Sequence, residues 1–111
     1  MSDLFAERFA AVRQRFAAKL DARIDEIEAA VPELDREGAQ EKLAHAHRRA
    51  HDLCGVGPTM GFVATGKAAR SIEQVLLAAI KAGRMLSGEE VARVRDGIAL
   101  LRSAAGQETQ S

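Results

Sequence analysis

From Phe5 to Val31 the large apolar residues are Phe5, Phe9, Val12, Phe16, Leu20, Ile24, Ile27 and Val31. Every step is three or four residues, the spacing of an α-helix that turns one face to a partner. No run alternates with the period of a strand. Alanine, the strongest helix former, fills 22 of 111 positions. The chain reads as all-α. Ser2 or Asp3 can cap the first helix. Pro32 should end it, because proline disfavours helical geometry in the residue before it. At ~1.5 Å per residue this helix is about 40 Å long, enough to invite a kink or break.

Three more helices follow by the same pattern. "PELDREG" is the first connection. Helix two runs from about Asp35 or Gly38 to the glycines at 55–57, with Ala39, Leu43, Ala46, Ala50 and Leu53 as its apolar stripe. Helix three begins near Gly61 or Phe62 and ends at Gly83, a fitting C-terminal cap. Val63, Ile72, Leu76, Ala79 and Ile80 supply its buried side. "SGEE", Ser87–Glu90, has the spacing of a capping box and starts helix four, whose apolar positions are Val91, Val94, Ile98 and Leu101. All four phenylalanines are expected in the core. Four amphipathic helices with short links predict an antiparallel up-and-down four-helix bundle. Residues 1–105 form one domain in this reading, and 106–111 a frayed polar tail.

Bulk properties narrow the function. Sixteen basic and sixteen acidic residues cancel. That argues against a nucleic-acid binder, which would carry a basic excess. With no Trp or Tyr, stacking platforms for single strands are scarce. The longest fully apolar run, Val75 to Ile80, is far short of a membrane span. The charged N-terminus lacks the apolar run of a signal peptide. A lone Cys54 allows no intrachain disulfide and suits a reducing compartment, so a cytoplasmic protein is expected.

The chemistry concentrates in "HDLCGVGPTMG", His51–Gly61. On a wheel of about 100° per residue the buried face of helix two centres on Ala46 and Ala50. His51 lies roughly 110° from that centre, toward solvent. Gly55 is its neighbour on the next turn and Arg48 on the preceding one. His47 and Cys54 lie between His51 and the core. Glycine inside a helix costs about 1 kcal/mol relative to alanine. Gly55 reads either as clearance for another molecule's active site or as the start of helix termination. A neutral imidazole is a good nucleophile near neutral pH and can carry a phosphoryl group. Phosphoryl transfer depends mainly on positioning and charge stabilisation, so few further groups are required.

The stretch resembles the signature of histidine-containing phosphotransfer (HPt) domains, His-x-Leu-Lys-Gly with a glycine ten residues after the histidine. His51, Leu53, Gly55 and Gly61 stand in those places, and Ala50 precedes the histidine as in the usual entry. The similarity in helix length and order spans roughly residues 4–103. It implies a four-helix bundle acting as a phosphorelay intermediate. His51 would take a phosphoryl group from a receiver-domain aspartate and pass it to a second one, with Nε2 as acceptor. The implied partners are response-regulator receivers and a hybrid sensor histidine kinase. Magnesium would belong to the receiver, leaving this chain without a bound metal or cofactor. Nothing binds ATP convincingly, so self-phosphorylation is not expected. His47, Arg48, Cys54, Gly55 and Pro58 form the expected docking surface, and a monomer is the simpler state. One position departs from the signature: Cys54 stands where the family has a lysine that steadies the phosphoryl group. Arg48, Arg49, Lys67 and Arg70 are the cations available to replace it.

Other readings have less behind them. "GFVATGKA", Gly61–Ala68, fits most of a phosphate-binding loop, but Ala68 lacks the hydroxyl that would hold magnesium, and no strand precedes it. "GVGPTMG" misses the dinucleotide fingerprint by one residue. His47, His51 and Cys54 share a helix face and form a candidate metal set, although zinc sites use three or four protein ligands. His45 points elsewhere and is expected in solvent. A helical interaction module without phosphorylation is the main alternative.

Overall fold

A computed structural model of the protein describes residues 2–110. Four helices, α1 (Ser2–Ala30), α2 (Gln40–Thr59), α3 (Val63–Ala82) and α4 (Gly88–Gln110), run up and down in an antiparallel bundle, and a short 3-10 turn, Val31–Glu33, follows α1. Around the bundle α1 adjoins α2 and α4, and α3 adjoins the same two. No strand occurs among the described residues.

The core is made by the stripes the spacing picks out. Leu20, Ile24 and Ile27 of α1 are fully buried with Leu43, Ala46, Ala50 and Leu53 of α2. Ile72, Leu76 and Ala79 come from α3, and Val94, Ile98 and Leu101 from α4. Fully burying one such large side chain stabilises the fold by about 1.5–3 kcal/mol, so the shared interior dominates its cohesion.

Each end of the bundle is tied differently. At one end the Leu86 N–H donates to the Leu34 carbonyl at 2.9 Å, and Ser87 and Glu90 form the capping box, with bonds of 2.9 and 3.2 Å. Arg84 adds a two-pronged pair to Glu90 at 2.6 and 3.2 Å. This Arg84 pair, with the Ser87 bonds behind it, lowers the Glu90 pKa to about 2. At the other end Arg13 donates to the Met60 carbonyl at 3.0 Å and to the Glu108 carbonyl at 3.1 Å. The Glu108 carboxylate caps α3: it accepts from the Ala64 N–H at 3.0 Å, the Thr65 N–H at 2.8 Å and the Thr65 hydroxyl at 2.7 Å. Burial pushes the Glu108 pKa up, but these bonds outweigh it and the net shift is downward.

Several expectations are corrected here. The tail does not fray at 106: α4 continues through Gln110 because Glu108 has α3 to cap, while Ser111 lies outside the described residues. The chain is helical from Ser2 itself, so Ser2 and Asp3 lie within α1 rather than capping it. α1 runs to Ala30 without interruption. Phe5, Phe9 and Val12 are exposed, Phe5 by 76%, because α1 outruns its neighbours; only Phe16 and Phe62 of the four phenylalanines are core. Val63 is exposed because Phe62, at the turn before it, takes the buried place.

The most consequential difference is at the end of α2. The helix passes through Gly55 and Gly57 and over Pro58 to Thr59. Pro58 lacks the N–H that would bond the Cys54 carbonyl, yet the proline ring does not end the helix. Termination comes at Gly61, whose φ of +83° suits glycine. There the Phe62 N–H bonds the Gly57 carbonyl at 2.8 Å and the Gly61 N–H bonds the Pro58 carbonyl at 3.1 Å, the pairing of a Schellman cap. α3 packs hard against this segment. A Cβ on Gly66 would fall 2.8 Å from the Pro58 ring, and one on Gly57 would fall 3.1 Å from the Phe62 carbonyl.

Candidate functional site

His51 projects from the middle of α2 with two-thirds of its side chain in solvent. Its Nδ1 lies 2.6 Å from Oε2 of Glu73 on α3, a carboxylate that is itself 16% exposed. A carboxylate only accepts, so Nδ1 carries the proton it donates. In the neutral ring the lone pair is then on Nε2. One turn onward, a Cβ on Gly55 would meet nothing within 4 Å. Gly55 lies within α2 with open space above it, so it does not terminate the helix.

One turn back, the His47 ring stacks on His51, centroids 6.0 Å apart and planes 17° apart. His47 is half-buried, and its Nε2 is enclosed without a hydrogen-bond partner. Ala44, His47, Arg48, His51, Leu77 and Ile80 line a groove of about 320 Å³ along α2 and α3. On the other side of His51, Cys54, Pro58, Val63, Gly66, Lys67 and Arg70 line a smaller one of about 160 Å³. The His51 imidazole lines the larger groove with Arg48, while Lys67 and Arg70 line the smaller one. A larger hollow of about 470 Å³ lies at the α3–α4 turn around Arg84, Leu86 and Glu90, and the histidines take no part in it.

The structure sorts the four candidate cations. Arg49 Nε is 2.8 Å from Glu26 of α1, an ion pair on the face of α2 turned away from His51. The contact is coulombic, since the N–H is not aligned on the oxygen. Arg48 shares a groove with His51, and Lys67 and Arg70 share one with Cys54. His45 is exposed. Among the described residues no three His, Cys, Asp or Glu side chains are grouped to hold a metal ion, so His47, His51 and Cys54 do not form such a set.

Sequence reasoning passed over Glu73. The signal was present: α2 and α3 form a hairpin about Phe62, and His51 and Glu73 stand eleven residues before and after it. Equal distance from an antiparallel turn puts two residues at the same level.

The model of the Hpt domain family matches residues 11–104. The chain belongs to the Hpt domain family. No curated protein and no solved structure matches it. Membership of the Hpt family supports a histidine phosphotransfer role in phosphorelays, where Hpt domains meet receiver domains and kinases. Among the described residues no helix is long and apolar enough to cross a membrane.

Proposed function

We propose that His51 is the phosphoacceptor of this Hpt domain and that Nε2 is the reacting atom. The observation behind this reading is the Glu73 bond to Nδ1, beside an open helix surface at Gly55. Nε2 attacks the phosphorus of a receiver's aspartyl phosphate. The N–P bond forms, the P–O bond to the aspartate breaks, and the carboxylate leaves. The reverse reaction loads a second receiver. Glu73 keeps the Nδ1 proton throughout and offsets the positive charge of the phosphorylated ring.

The receiver docks across His47, Arg48, Cys54, Gly55 and Pro58, and the absent side chain at Gly55 admits its active site. Arg48 on one side, and Lys67 and Arg70 on the other, supply positive charge in place of the lysine that Cys54 replaces. Magnesium stays with the receiver, so this chain works without a metal of its own, as a monomer in the cytoplasm. A hybrid sensor kinase, through its receiver, is the proposed upstream donor.

The test is to mix the purified protein with radiolabelled phosphorylated receivers and follow acid-labile label. His51→Gln should fold and take no label, while His45→Gln should take it normally. Label on His51→Gln, or none on the unmodified chain with any receiver of the source organism, overturns the assignment. In the second case Cys54 would favour a helical interaction module that is never phosphorylated.

A further inference from the structure

The first turns of α1 stand beyond the bundle. Arg13 is level with the α2–α3 turn, through its bond to the Met60 carbonyl, and with the end of α4, through Glu108. Residues 2–12 therefore run past the α2–α3 turn by about 16 Å at ~1.5 Å per residue, and residues 2–10 also run past Gln110, the last described residue of α4. The Hpt family match begins at Ala11, so most of this projection lies outside the family's common bundle.

The projection keeps the pattern of a helix-packing surface. Phe5, Phe9, Val12 and Phe16 follow a strict four-three-four spacing, the a and d positions of a heptad seam. Phe16 packs edge-on against Phe62 in the core, with ring centroids 5.2 Å apart. Phe5, Phe9 and Val12 continue the same stripe outside the core: Phe5 is 76% exposed, and Phe9 and Val12, 41% and 40% exposed, are partly covered.

Charge beside the seam decides what covers it. Arg8 and Arg15 occupy the flanking g positions, are exposed, and have no partner among the described residues. Arg13, at a facing e position, is cationic too. Asp3 and Glu7 fall on the outer face, at b and f. In an antiparallel second copy the flanks of the same seam would set the exposed Arg8 and Arg15 against each other, while Arg13 is taken up by the Met60 and Glu108 carbonyls and the Phe62 ring. A homodimer through this seam is disfavoured by its own charges.

We infer that the projecting end of α1 docks an amphipathic helix of another protein, one with aliphatic a and d residues and Asp or Glu flanking them. The exposed apolar side chains are Phe5, Phe9 and Val12 on the seam and Leu4 beside it, a strip narrow enough for one helix to cover rather than the broad face a membrane surface needs. This site is separate from His51 and adds a place of attachment to the domain. The inference does not depend on the phosphoacceptor assignment.

The experiment uses a labelled peptide of about three heptads with Leu at a and d and Glu at e and g, and a twin with Lys at e and g. Fluorescence anisotropy with the full chain should show the Glu peptide binding at least roughly tenfold more tightly than the Lys peptide, about 1.4 kcal/mol. Phe5→Ser with Phe9→Ser should abolish binding while leaving the thermal melt in place, because both residues are exposed. Arg8→Glu with Arg15→Glu should reverse the preference toward the Lys peptide. The inference is overturned if the chain binds neither peptide or both equally. It is also overturned if the chain dimerises through the seam in sedimentation equilibrium, or if vesicles containing anionic lipid bind it in a Phe5- and Phe9-dependent way.

Discussion

The Nδ1 of His51 and the Oε2 of Glu73 meet at 2.6 Å, joining the exposed middle of α2 to a largely covered carboxylate of α3. The contact fixes the ring's direction and tautomer and places a negative charge behind it. Glu73→Gln keeps an acceptor but removes the charge. A charge-assisted bond is roughly twice as strong as a neutral one. Transfer to His51 should slow by about tenfold, equivalent to about 1.4 kcal/mol in the barrier. Rapid-quench kinetics with a phosphorylated receiver reads this. An unchanged rate would show that the carboxylate only packs.

Gly55 separates docking from stability. A Cβ there meets nothing, and alanine is the better helix former. Gly55→Ala should raise stability to unfolding by up to about 1 kcal/mol. Gly55→Leu should fold as well yet bind receivers at least about tenfold more weakly, because the side chain fills the clearance next to His51. Urea unfolding and receiver titration together give the two numbers. Gly66→Ala should behave oppositely: with only 2.8 Å to the Pro58 ring, it should destabilise the α2–α3 packing by about 1–3 kcal/mol.

The cations are separable by direction. Arg49→Ala breaks the pair with Glu26 on the α1 side and should leave the transfer rate within about twofold, since surface pairs are worth about 0–1 kcal/mol. Arg48→Ala, and Lys67→Ala with Arg70→Ala, should each slow transfer. Cys54→Lys should restore rate in either background. If all these variants transfer at the unmodified rate, positive charge near His51 is not what steadies the phosphoryl group.

Glu108 should act as a structural cap. Glu108→Ala leaves the Ala64 and Thr65 N–H groups without their acceptor, and should cost about 1–2 kcal/mol. Thermal melting of the pair of proteins measures it. The loss should be only modestly smaller in a Thr65→Ala background, which removes the hydroxyl bond but keeps both backbone N–H donors.

Acid should weaken both ends of the bundle. The Glu90 pKa is lowered to about 2 by Arg84 and the Ser87 cap, and that of Glu108 is also lowered. A carboxyl with a depressed folded-state pKa contributes stability above its unfolded pKa and loses it as pH falls. For Glu90 that contribution is full above the ordinary glutamate range of about 4.3 and fades toward pH ~2. Urea midpoints should therefore drop between about pH 5 and 2, and Glu90→Gln should flatten that drop. An equal drop in Glu90→Gln would assign the acid sensitivity elsewhere.

Much of the bundle follows from local rules. The three-and-four spacing names the buried stripes, Ser87 and Glu90 declare a cap, and Gly61 and Gly83 mark chain reversals, each because the physics acts within a turn or two. His51 on an outer face beside Gly55 follows from the same wheel. What adjoins a face does not follow, since it depends on how far each helix runs beside its neighbours. Phe5 and Phe9 carry the same pattern as Phe16 and differ only in having no helix level with them. Arg48 and Arg49 are adjacent in the chain, yet one turns to the His51 groove and the other to Glu26 on α1. Glu108 looks like part of a loose polar tail until α3 presents free N–H groups. The sequence determined which residues want burial and where the chain bends. The tertiary structure decided which of them found a partner, because only the packed helices bring Glu73 to His51 and leave the end of α1 bare.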